Sequence, residues 1–193
     1  MAVNLPAYDK SKFSFGPGVL RLYAYATGEV PGAIAETSLS DVGGVRSGGS
    51  FSVGRTRLDV FQGSPRELAD TYITEETATL TCNSIEWNLT NLSNALGAGN
   101  VTGPTGKTTT LDFGGSLTAA DVAVSFTHVT PAGSTVTIRL WRAKAGGDFS
   151  VTFGDDIHEI PMSFSAAGVT GHWGVGQTAA TDERLFQVTF TDV

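Results

Sequence analysis

Residues 77–85 read Thr-Ala-Thr-Leu-Thr-Cys-Asn-Ser-Ile. Thr77, Thr79, Thr81 and Asn83 alternate with Ala78, Leu80, Cys82 and Ser84. A period of two puts these sets on opposite faces of an extended strand. One face suits a core and the other is small, polar and uncharged. Half-buried strands of this kind belong to antiparallel sheets.

The same alternation recurs on both sides. Residues 19–26 set Leu20, Leu22, Ala24 and Ala26 against Val19, Arg21, Tyr23 and Tyr25. Residues 122–128 carry Val122, Val124 and Phe126 on one face. Residues 135–141 point Val136, Ile138 and Leu140 inward and Thr135, Thr137 and Arg139 outward. Phe149, Val151 and Phe153 predict another strand, and Phe186, Val188 and Phe190 the last. Residues 50–53 and 57–61 predict two strands, with Gly54 as a bulge or tight turn between them. Turns are expected at residues 131–133 (Pro-Ala-Gly) and 145–147 (Ala-Gly-Gly).

One helix is expected, over residues 89–96. Leu89, Leu92 and Leu96 share a face, Asn88 suits the N-cap, and Gly97 suits the C′ position. Ser64-Pro65-Arg66-Glu67 has capping-box form and predicts a further single helical turn. Residues 27–49 show little periodicity and several glycines, which predicts a long contact loop. Residues 96–107 form a second Gly-rich connection.

Composition bounds the function. The chain has 193 residues, enough for one domain, and a formal net charge of −7. That balance argues against binding nucleic acid by neutralising phosphates. Charged residues are 16% of the chain, against about 25% in ordinary soluble domains, so part of the neutral surface is expected to be covered by other copies. A single cysteine, Cys82, excludes a disulfide framework and a cysteine-based zinc site. The opening residues lack the basic-then-apolar order of a signal peptide. The chain is therefore expected to be made in a cytoplasm and stay soluble there. In that setting the sequons at Asn88, Asn91 and Asn100 carry no glycan.

Chemistry-bearing clusters are sparse. Asp155, Asp156, His158 and Glu159 are dense enough to consider a divalent cation, but an acidic turn leading into a strand explains them as well. The glycines at 168, 171, 174 and 176 precede no helical pattern and lack a phosphate-binding lysine, so a surface loop with His172 and Trp173 at its tip is the better reading. Cys82 falls on the apolar face beside Leu80, the place of an inert thiol. No nucleophile elbow occurs, and His128, His158 and His172 stand in separate segments. No catalytic residue, metal ligand or cofactor is assigned, and the chain is not read as an enzyme. The competing readings are a carbohydrate- or surface-binding β-sandwich module of the virion-decoration or adhesin kind, with Tyr72, Trp141 and Trp173 as an aromatic platform, and a β-fold hydrolase using the acids at 155–159.

Taken in order, Phe15-Gly16-Pro17-Gly18-Val19-Leu20, the 34–45 connection, residues 49–63, residues 74–80, residues 86–97 and the 122–166 back half with His128, Pro131, Gly133, Ile160 and Pro161 resemble the major tail tube proteins of long-tailed bacteriophages. The likeness spans nearly the whole chain as a pattern. It implies a mainly β fold: an antiparallel β-sandwich or barrel flanked by one α-helix, residues 89–96, in a single domain over 1–193. It implies hexameric rings, stacked head to tail into the tube through which DNA passes to the host. Residues 1–13 would be an N-terminal arm and residues 27–49 the inter-ring loop, with Val30, Ile34, Leu39, Val42 and Val45 as its stacking side chains. Thr77, Thr79, Thr81 and Asn83 would face the lumen. Expected partners are other copies of the chain, tape-measure, terminator and distal tail proteins, and double-stranded DNA in transit without specific binding. No membrane is expected. The place would be the virion tail, assembled in the host cytoplasm.

Overall fold

The computed structural model describes residues 18–26, 34–105, 108–115, 118–146, 150–168 and 185–192. It is mainly β and antiparallel, with one α-helix among the described residues. The strands are β1 (Gly18–Ala24), β2 (Ser40–Asp41), β3 (Val45–Gln62), β4 (Glu67–Ser84), β5 (Asn100–Thr105), β6 (Thr108–Asp112), β7 (Asp121–Val129), β8 (Thr135–Ala145), β9 (Ile160–Ala166) and β10 (Phe186–Thr191). Eight of them form one sheet in the order β2-β1-β7-β8-β9-β4-β3, with β10 also on β8. Strands β5 and β6 make a separate hairpin.

The sheet doubles over at β8. Its first half, up to Leu140, pairs with β10, and its last residues, Ala143–Ala145, pair with β9. The ladder to β7 slips between Val124↔Leu140 and Val122↔Ala143, so the strand bulges and re-aims where it changes partner. Two layers result. One holds β2, β1, β7, β8 and β10; the other holds β9, β4 and β3. Gly49 of β3 lies against the ring of Phe126 on β7, and so does Gly18 of β1. A Cβ at Gly18 would run into that ring and one at Gly49 would crowd it, and the bare backbone at Gly49 lets β3 come close to the other layer. Phe51 of β3 touches Phe186 of β10 edge-on, with ring centroids 5.0 Å apart.

Between the layers lies a core of Leu20, Leu22, Leu80, Val122, Val124, Leu140, Ile160 and Phe164. The helix α1 (Leu89–Leu96) seals one side with Leu92 and Ala95. Asn88 caps it by accepting from the backbone N–H groups of Thr90 and Asn91, and Gly97 ends it at φ 67°, where only glycine is at ease. This matches the sequence expectation at both ends.

The alternation at 78–84 also holds, with Ala78, Leu80, Cys82 and Ser84 buried. Other expectations are corrected. Residues 50–53 and 57–61 lie in one continuous strand, 18 residues long, and the ladder is kept by single extra residues in β4, opposite Thr56/Arg57 and Val60/Phe61. Residues 63–66 form the turn of the β3–β4 hairpin and open no helix, since both flanking runs find cross-strand partners. Of residues 27–49, the described part, 34–49, is structured: a 3-10 turn (Glu36–Ser38), β2 and the start of β3 fall inside it. The described part of residues 96–107 contains β5. The described part of 149–153 is irregular, with Val151 against the core and Phe153 in solvent. Arg139 is buried as well, and is not an outward, wet residue. The 34–38 segment lies over it: its Nη2 donates to the Ile34 carbonyl, and Nη1 lies 3.3 Å from Glu36.

Candidate assembly surface

Three features of the β3–β4 hairpin define this surface. The first is its length. From Ala78 to Ser84, β4 is flanked by β3 and β9 and its alternate residues are buried. From residue 77 outward it pairs, among the described residues, with β3 alone, and residues 67–77 are all exposed. The hairpin therefore leaves the body as a bare two-stranded arm. At about 3.3 Å per residue, residues 54–62 reach about 30 Å.

The second feature is the arm's composition. Directly paired residues share a face, so Ile73, Phe61 and Leu68 continue the core-facing side outward. Leu58, Val60 and Tyr72 continue the outer side. All six are exposed. Polar contacts stiffen the ribbon: Arg55 pairs with Glu76 at 2.8 Å, and Thr71 Oγ1 donates to Asp59 at 2.8 Å. A two-stranded ribbon is marginal in water on its own. This one exposes apolar side chains on both faces.

The third feature lies on the outer face of the body. Thr79 sits between Ser52 of β3 and Ser165 of β9, and Thr81 between Ser50 and Ser163. Two transverse rows of three hydroxyls thus cross three strands. Thr77, opposite Gly54, extends the neutral strip toward the arm. Asn83 departs from it. Its side chain donates to Glu159 Oε2 at 2.6 Å, and Glu159 also lies 3.4 Å from Arg46, the residue paired with Asn83 across the ladder. The neutral rows therefore end in a charged rim.

The 34–45 segment, expected to carry stacking side chains, spends most of them at home. Leu39 and Val42 are buried, Val45 packs against the core, and Ile34 is half-buried. Val30 lies outside the described residues. The Val42 carbonyl accepts from Asn91 Nδ2, and the Gly44 N–H donates to Glu86 Oε1 at 2.8 Å. Residues 1–13 and 171–176, with His172 and Trp173, also lie outside the described residues.

The 155–159 cluster is engaged in internal bonds. Asp156 accepts from the Ile157 N–H at 2.7 Å and lies 3.5 Å from Arg46. That backbone bond first, and the Arg46 charge second, hold its carboxyl below the usual range. The Gly154 N–H lies 3.1 Å from His158 Nε2. No group of three or more His, Cys, Asp or Glu is placed to hold a metal among the described residues. Burial pushes the Cys82 thiol up to about 12, which keeps it protonated and unreactive.

Of the three aromatic residues considered as a platform, Trp173 lies outside the described residues. The Arg139 guanidinium stands 4.0 Å from the centre of the Trp141 ring, and Tyr72 belongs to the arm. A different aromatic group does form: Trp87 and Phe153 stack at 13°, and Phe153 meets His158 edge-on at 5.0 Å. It joins two irregular segments, where no periodicity signals it. The arm, by contrast, was signalled. Apolar residues on both faces flank a Gly-Ser-Pro turn at 63–65, a hairpin pattern hidden by the helix-cap reading of the same turn.

No protein-family model matches the chain, and no curated protein matches it.

Proposed function

We propose that the chain is a self-assembling structural protein, the subunit of a tail tube of the long-tailed phage type, built from stacked hexameric rings. The observation that carries the reading is the arm, about 30 Å of hairpin with apolar side chains exposed on both faces, which one isolated subunit leaves uncovered. The sequence resemblance supplies the form of the assembly. Long strands with free edges favour the same reading, since β3 has no partner on its outer side among the described residues. Closure into a ring removes such edges.

In the proposed tube, Thr77, Thr79 and Thr81 line the lumen together with Ser50, Ser52, Ser163 and Ser165. Neutral hydroxyls on a chain of net charge −7 give a passing polyanion no fixed counter-charge to stick to. DNA then moves through without specific binding, and the tube meets other tail proteins at its ends. Electron microscopy and sedimentation of the purified protein test the reading. Hollow polymers or six-membered rings are expected without added ligand. A particle that stays monomeric at every concentration overturns it.

The exposed Trp87–Phe153 stack favours a second reading, a module that binds sugars through ring faces. Retention on a glycan array that is lost in Trp87→Ala, with no polymer formed, would select it.

A further inference from the structure

The arm has a counterpart on the same molecule. Pairing across β1, β7, β8 and β10 arranges the inner face of that layer in rows. The first row is Leu22, Val124, Leu140 and Phe186, and it lies under the opposite layer, where Phe51 of β3 meets Phe186. The second is Leu20, Phe126, Ile138 and Val188. The third is Gly18, His128, Val136 and Phe190. Along the rows the cover runs out at β10. Leu140 is 0% exposed, whereas Val188 is 52% and Phe190 45% exposed. Ile138 and Val136 are half-buried beside them. These four side chains face the side on which a second layer belongs, and none lies over them among the described residues.

The strands that cover the first row are β3 and β4, and their continuation is the arm. The arm is not laid on this bed, since both of its faces are exposed. A cleft of about 360 Å³, lined by Ile73, Thr74, Glu75, Glu76 and Leu185, separates it from the start of β10. Among the described residues, one molecule thus holds an arm with exposed apolar side chains and an apolar bed that no strand covers.

We propose that the arm of one copy covers the bed of the next, laying its Ile73–Phe61–Leu68 face on Val136, Ile138, Val188 and Phe190. That face is the outward extension of the core-facing side of β3 and β4. That face also carries the paired Arg55 and Glu76, with Arg57 and Asp59, so the part of it matched to the apolar bed is the Phe61–Leu68 pair near the tip together with Ile73. The two surfaces are different patches of one chain, so the contact is heterologous. It repeats from copy to copy instead of closing a two-fold dimer. The inference rests on the self-assembly reading and names the contact that reading leaves open.

The test uses two full-length variants, Leu68→Cys and Val188→Cys, mixed under mild oxidation. Native Cys82 is buried and does not compete. A disulfide-linked dimer is expected in the mixture and in neither variant alone. Val188→Ser with Phe190→Ser, both at exposed positions, is expected to reduce polymer yield at least tenfold while leaving the far-ultraviolet spectrum unchanged. Polymers without the cross-link would overturn the arm-on-bed contact and leave the self-assembly reading standing. Absence of both polymer and cross-link would overturn the two together. A Leu68→Cys, Val188→Cys double variant that closes within a single chain at high dilution would show the arm folding onto its own bed, and would refute the exchange.

Discussion

The two ends of one hairpin behave as different materials. From Ala78 to Ser84, β4 lies between β3 and β9 over a core, with every second residue buried. From Glu67 to Thr77 the same strand, in the same ladder with β3, is exposed throughout. Backbone pairing is common to both halves, so pairing does not separate them. What separates them is a third strand and a second layer. Net hydrogen-bond gains are small, and burial supplies most of the stabilisation. The body end fixes the fold; the arm end is left exposed.

The contrast can be broken most sharply by removing the arm. Replacing residues 56–75 with a two-residue Asn-Gly turn leaves the Arg55–Glu76 pair to close a short hairpin. The subunit is expected to fold with an unchanged melting temperature and to lose all polymerisation. Sedimentation velocity and thermal melts check this, and a shortened protein that still polymerises would end the assembly role of the arm. At the body end, Leu80→Ala removes a fully buried side chain and should cost about 2–5 kcal/mol in chemical denaturation. The exposed Leu58→Ala on the arm should cost under about 0.5 kcal/mol in the same assay. Equal costs at the two positions would contradict the division.

Smaller effects sharpen it. Asn88→Ala removes the cap that holds α1 against the body and should cost about 1 kcal/mol. The arm's contacts should not change, so polymer formation by Asn88→Ala at low temperature should match the parent. The smallest effect is expected at Asp121. Burial raises its pKa, but hydrogen bonds and charge from Lys144 and Arg142 outweigh burial and hold it below its ordinary value. Its folded pKa is thus lower than its unfolded one. The resulting stability is present above the unfolded value, about 3.9, and is lost as pH falls through the folded value. Urea midpoints measured downward from about pH 5 should fall less steeply in Asp121→Asn than in the parent. Parallel curves would mean that Asp121 contributes nothing to acid sensitivity.

Much of the body was legible because its signals are local. The two faces of 78–84, the caps of 89–96 and the turn at 131–133 each follow from neighbouring residues and a fixed period. The expected faces failed where long-range cover decided exposure. Arg139 alternates outward yet is buried, because the 34–38 segment crosses it. Phe190 alternates inward yet is exposed, because no strand lies over it among the described residues. The hydroxyl face was visible on one strand, but its width, from Ser50 and Ser52 to Ser163 and Ser165, depends on strand order.

The sequence alone determined a mainly β, antiparallel chain with one capped helix, because periodicity and capping act over a few residues. It also determined that no cysteine framework was available, because that is a matter of count. The tertiary structure decided that β8 serves two layers, that one hairpin outruns the body, and that exposed apolar side chains on the arm and on the β8–β10 sheet stand on the same molecule. Those outcomes depend on which strand lies over which, and burial is a property of the neighbours a residue acquires when the sheet folds over.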